Sequence, residues 1–173
     1  ETLEERGERE NTIVAVTADH GLAVGQHGLM GKQNVYDHSV RTPFLLSGPG
    51  VPRDERRDPL TIHYDLYPTL CDLADLDAPD GLEGRSLAPA LSDPDARVRD
   101  ALLLAYEDVQ RAFREERLKL IEYYVDGERH TQLFDTTEDP GETENLVDEH
   151  PDERERLRAR LADAQADMDD PLA

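Results

Sequence analysis

Apolar positions along the chain gather into runs, among them "NTIVAVTAD", "TPFLLSGPG", "DALLLAYED" and "RLKLIEYYV". Residues 12–17, "TIVAVT", are continuously apolar and β-branched, which predicts a strand covered on both faces in a parallel sheet. Asp19 and His20 fall just past its carboxyl end, where open α/β sheets bind ligands. Gly21, Gly25, Gly28 and Gly31 then break every regular period, so residues 20–34 form a loop whose backbone can approach a ligand closely. "VYDHSV" reads as a short helical turn and "TPFLLSG" as the next strand, with Pro43 at its start. A short strand is expected at 61–64. Asp65 is placed to N-cap the helix "LYPTLCDLADL", whose Leu66, Leu70 and Leu73 share a face, and residues 77–95 read as a connecting loop.

Beyond about residue 100 the pattern changes to short segments separated by turn signals. Leu118, Leu120, Glu122 and Tyr124 alternate, as in a half-exposed antiparallel sheet, and "DGER" is a hairpin turn. Pro151 opens an amphipathic helix with Leu157, Leu161, Ala164 and Met168 on one stripe, docked on that sheet. The expected class is α/β, with residues 1–98 forming part of one domain and residues 99–173 a small α+β subdomain of antiparallel sheet plus helix.

Composition narrows the partners. Forty acidic residues face 19 basic ones, a net charge of -21, which would repel a phosphate backbone or an anionic membrane. Nucleic acid is therefore not expected as a partner, and no apolar run suits membrane insertion. The acidic skin suits high ionic strength, which screens its self-repulsion and points to a halophilic source. Lys32 and Lys119 are the only lysines, and the single Cys71, which has no intrachain partner, is expected in the core. The opening "ETLEERGERENT" reads as the end of a polar helix leading into a strand, so a C-terminal portion of a longer protein is expected, with any signal peptide before Glu1.

Four residues carry candidate chemistry. Asp19 and His20 offer a hard oxygen and an imidazole nitrogen to a cation, or else a turn-capping carboxylate and a surface imidazole. Lys32 is either a compact charge that stabilises oxyanions on a polyanionic substrate or a solvated loop cation. His27 is a general acid or substrate contact, or a hydrogen-bonded loop anchor.

The whole stretch "TIVAVTADHGLAVGQHGLMGKQNVYDHSVRTPFLLSGPGVP" resembles a signature region of the sulfatase family in the alkaline phosphatase superfamily. "IHYDLYPTLCDLADL", "LEGRSLAPAL" and "QLFDTTEDPGETENLVDE" resemble later segments of the same family, in the correct order, so the likeness covers roughly residues 12–150. It implies an alkaline-phosphatase-like mixed sheet between helices, only its last strands present here, followed by the small antiparallel sheet and helix. Asp19 and His20 match the pair that helps hold a divalent cation, usually calcium; many members carry Asn where this chain has His20. Lys32 matches the lysine that contacts the sulfate group, and His27 falls in a "G-x-H-G" subgroup pattern implying substrate contact or loop ordering. Tyr36 and Arg41 match structural positions, Arg41 pairing with a carboxylate beneath the site.

The likeness departs at one essential point. The family's nucleophile, a formylglycine made from Cys or Ser in a "C/S-x-P-x-R" motif, has no match: Cys71 lies in "TLCDL", and "SDPDAR" does not fit. The chain therefore carries half a site, and the remainder of the catalytic domain is an implied partner. The expected activity of the intact protein is hydrolysis of a small-molecule or carbohydrate sulfate ester. A phosphodiesterase or phosphonate monoester hydrolase of the same superfamily, and a non-catalytic acidic remnant or binding module, are the alternatives.

Overall fold

The computed structural model describes residues 1–173. In chain order its helices are α1 (Thr2–Glu5), α2 (Asp37–Val40), α3 (Leu66–Leu73), α4 (Ala88–Ser92) and α5 (Pro151–Asp167). Its strands are β1 (Val14–Thr17), β2 (Ala23–Val24), β3 (Met30–Gly31), β4 (Phe44–Ser47), β5 (Leu102–Tyr106), β6 (Gln110–Arg114), β7 (Leu118–Val125) and β8 (Glu128–Asp135). They divide into two compact units: residues 1–19 with 43–99, and residues 20–42 with 100–173. The loop 20–42, assigned from sequence to the first domain, thus groups with the C-terminal sheet.

In the first unit β1 pairs antiparallel with β4, from Val14 opposite Ser47 to Thr17 opposite Phe44. Within this chain the neighbour of β1 is thus antiparallel, where the apolar run predicts a parallel one, and Val16 is 53% exposed. A continuous apolar run encodes no strand direction, and the one α-helix in the connection to β4 is the four-residue α2, too short to serve as a crossover helix. The strand expected at 61–64 is also absent; the chain makes a 3₁₀ turn at His63–Asp65. Asp65 does not cap α3 with its side chain. Wholly buried, it accepts the Ile62 and Arg85 N–H groups at 2.8 Å each and both arms of Arg99 at 2.5 and 2.6 Å. Burial pushes this carboxyl up, but the hydrogen bonds from Arg99 and the two backbone donors outweigh it and hold the group low. Helix α3 buries Pro68, Thr69 and Cys71, leaving the predicted leucine stripe half-buried, and α4 interrupts the predicted 77–95 loop.

The second unit is built on a four-stranded antiparallel meander, β5-β6-β7-β8. Between β7 and β8, Asp126 (φ 53°) and Gly127 (φ 79°) make the two-residue left-handed turn that "DGER" predicts. Gly127→Ala should cost ~1–2 kcal/mol, the price of forcing a Cβ into that backbone region, read as a lower midpoint in urea denaturation. One face of the sheet packs Phe113, Leu118, Leu120 and Leu133 against Leu157 and Leu161 of α5. Helix α5 ends at Asp167, so Gln165 completes its buried stripe and Met168, predicted there, is 67% exposed. The opposite face is not open to solvent, as a half-exposed sheet would be: Ala112, Ile121 and Phe134 pack under Val35 and Tyr36 of the loop.

Candidate functional site

The loop 20–42 is shaped by close backbone contacts. Gly21 donates its N–H to Ser39 O at 2.8 Å, and a Cβ there would lie 2.0 Å from the His38 carbonyl oxygen, so only glycine fits. Beyond it, β2 and β3 form a minimal ladder, Ala23 opposite Gly31 and Val24 opposite Met30. That ladder returns the chain from residue 20 to Lys32.

His20 donates from Nδ1 to Gly21 O at 2.8 Å, which fixes its tautomer and presents the Nε2 lone pair. Lys32 Nζ donates to that lone pair at 2.6 Å. Asp19, exposed, closes the first unit immediately before His20 opens the second. His27 adopts a left-handed backbone (φ 53°), donates from Nε2 to Gly141 O at 3.0 Å and stacks on Tyr36 with ring centroids 4.0 Å apart. Of the sequence-predicted residues, then, His20 and Lys32 are in contact, and His27 is engaged with the C-terminal region.

Beneath this layer lies polar structure that sequence reasoning missed. The Tyr123 hydroxyl donates to the Tyr36 hydroxyl at 2.9 Å, and that hydroxyl donates to Gln132 Oε1 at 2.7 Å. Burial, followed by the bond to Tyr36, pushes the Tyr123 phenol well up. Lys119, 0% exposed, donates to Asp37 Oδ1 at 2.9 Å and to Glu142 Oε1 at 2.6 Å. Arg114 reaches both oxygens of Asp37 at 3.1 and 3.2 Å, whereas Arg41, the expected partner of a carboxylate there, approaches only to 3.9 Å. Glu142 Oε2 accepts the Asp37 N–H at 2.6 Å.

The two carboxylates of this cluster titrate in opposite directions. Burial pushes Asp37 up, but Lys119 and Arg114 together outweigh it and hold the group below the usual range. Glu142 faces one cation and the Asp37 charge, so burial prevails and its carboxyl is raised. Burial, with His27 and Lys119 nearby, pushes the His38 imidazole down, and its Nε2 is enclosed without a hydrogen-bond partner.

No group of three or more His, Cys, Asp or Glu side chains is arranged to hold a metal ion, and no helix is long and apolar enough to cross a membrane. Asp19 carries carboxylate oxygens, and the one lone pair of the His20 ring, at Nε2, is occupied by the Lys32 ammonium.

Residues 25–168 match the family model described as "N-sulphoglucosamine sulphohydrolase, C-terminal". The chain is 35% identical over 149 residues to a delta 4,5-hexuronate-2-O-sulfatase of Bacteroides thetaiotaomicron, covering 79% of this chain and 31% of that protein. A protein solved in complex with its substrate D-glucosamine-2-N,6-O-disulfate superposes with a TM-score of 0.84 at 26% identity, over 98% of this chain and 37% of that one. A phosphonate monoester hydrolase from Silicibacter pomeroyi gives 0.80 at 26% identity, over 99% of this chain and 38% of its own. The chain thus spans between 31 and 38% of the length of these three proteins. A family match across residues 25–168 shows that the chain belongs to the sulfatase family and corresponds to its C-terminal portion.

Proposed function

We propose that the intact protein hydrolyses sulfate esters, with sulfated carbohydrates as the substrate class. The observation that carries this reading is the Lys32 ammonium held 2.6 Å from His20 on a glycine-shaped loop within a sulfatase-family chain. Lys32 is exposed, and its ammonium has a partner on the same loop. In the proposed site Lys32 binds a sulfate oxygen and offsets charge that grows on the transferring group and the leaving oxygen. Asp19 and His20 would hold a divalent cation, calcium by family resemblance, with His20 Nε2 exchanging the Lys32 ammonium for the ion and so freeing Lys32 for the sulfate. When bound, that ion polarises the sulfate oxygens. His27 orders the loop, since its ring nitrogen and ring face are engaged by Gly141 and Tyr36. The nucleophile, a formylglycine, comes from a residue outside this chain. The substrate class is supported by relatives named for a hexuronate 2-O-sulfatase and for a glucosamine disulfate complex.

The phosphonate monoester hydrolase among the structural neighbours supports a second reading. Turnover of an aryl sulfate and of an aryl phosphonate monoester by the full-length protein separates the two. The sulfate should be favoured in kcat/KM by about 100-fold. A preference for the phosphonate replaces the sulfatase reading with its alternative.

A further inference from the structure

The loop bearing His20, His27 and Lys32 is gripped by one turn, Asp139–Glu144. The Asp139 carboxylate shapes this turn by accepting the N–H groups of Thr143 at 2.5 Å and Glu144 at 2.8 Å. Two consecutive residues of the turn then hold the loop: Gly141 O accepts from His27, and Glu142 Oε2 accepts the Asp37 N–H that begins α2. Lys119 locks the second contact by bridging Glu142 and Asp37. From Asp37 the connection continues through α2 to Ser39 O, which accepts the Gly21 N–H, and next to Gly21 stands His20, whose ring holds Lys32. Every step in that chain is a hydrogen bond or a covalent neighbour.

We propose that Glu142, with Lys119 and Asp37, is a positioning unit that sets the place of the Lys32 ammonium at the substrate, acting from the C-terminal sheet. This rests on the sulfatase reading for its catalytic consequence, but the positioning itself is measurable without turnover. Lys32 is exposed and Lys119 is fully buried, and no other lysine occurs in the chain. Acylation by a water-soluble amine reagent, read by peptide mass spectrometry, therefore reports Lys32 among these residues.

In the full-length protein, Glu142→Gln keeps an acceptor for the Asp37 N–H but removes the charge that Lys119 bridges. Lys32 should acylate several-fold faster in this variant, and kcat/KM on a sulfate ester should fall by about tenfold, the size of effect usual for a group that orients a functional residue. Glu115→Gln serves as the structural control. It strips the carboxylate that pairs with Arg156 and Arg160 on the α5 side of the same sheet, and should leave both the labelling rate and kcat/KM unchanged. Were Glu142→Gln not to fold, Arg114→Gln removes one cation from Asp37 and carries the same expectation. Wild-type labelling of Lys32 in the folded variant overturns the proposal whatever the activity; faster labelling with unchanged kcat/KM overturns its catalytic part. A wild-type protein inert on sulfate esters overturns the sulfatase reading instead, and the labelling difference remains the test of the loop.

Discussion

Replacing Lys119 with methionine should lower the unfolding free energy by ~3–5 kcal/mol at pH 7, because breaking a buried ion pair strands the charges left behind. Lys119 is 0% exposed and its two partners are nearly as deeply buried, so water cannot rescue Asp37 and Glu142 once the ammonium is gone. Arg114 still serves Asp37, but Glu142 has no second cation in contact. The loss should depend on pH. A carboxyl raised in the folded state contributes stability that is complete below its ordinary value of 4.5 and is lost as pH rises through the folded value. Removing Lys119 drives Glu142 higher still, so the deficit of the variant should be largest at pH 7 and smaller at pH 5. Asp37, held low in the native protein, titrates below that window. Urea denaturation of both proteins at the two pH values measures this; a loss under ~1 kcal/mol at pH 7 would mean that the cluster behaves as a surface ion pair.

Lys32→Ala should reduce kcat/KM on a sulfate ester by about 10²–10³, the usual cost of removing one group aimed at developing charge. Lys32 is exposed and contributes no core packing, so unfolding free energy should change by no more than ~0.5 kcal/mol. That combination distinguishes a lost interaction with substrate from a damaged fold. Lys32→Arg should recover little, because a planar, branched guanidinium cannot take the place of a point charge seated against the His20 ring. A decline of less than tenfold in the alanine variant would remove Lys32 from the chemistry.

Local signals were the legible ones. The Asp126-Gly127 turn, the Pro151 helix start and the glycine-broken loop after β1 each follow from residues within a few positions of one another. The contact between His20 and Lys32 was half legible: family likeness named both residues, while their meeting depends on the two-residue β2–β3 ladder, too short to leave a period. Lys119 was not legible at all. In "RLKLIEYYV" a lone lysine opposite alternating leucines reads as the wet face of a strand, and its partners lie 82 and 23 residues away. Asp65 misled for a related reason. A carboxylate before a helix is ordinarily its cap, but here Arg99, 34 residues on, claims both oxygens. Direction was hidden as well, since the apolar run of β1 suits a parallel or an antiparallel neighbour equally.

The grip of the C-terminal turn on the loop sets a timetable for the nascent chain. His27 must wait for Gly141, 114 residues later, and Asp37 for Glu142, 105 residues later. At ordinary synthesis rates, about 5–20 residues per second, the loop leaves the ribosome ~5–20 s before the turn that grips it. Throughout that interval its glycines are open to proteases, and closing so long a separation is slow compared with local hairpins such as β7–β8. Lys32 is thus made early and its loop fastened late, and a chain released before Gly141 would lack both contacts from that turn.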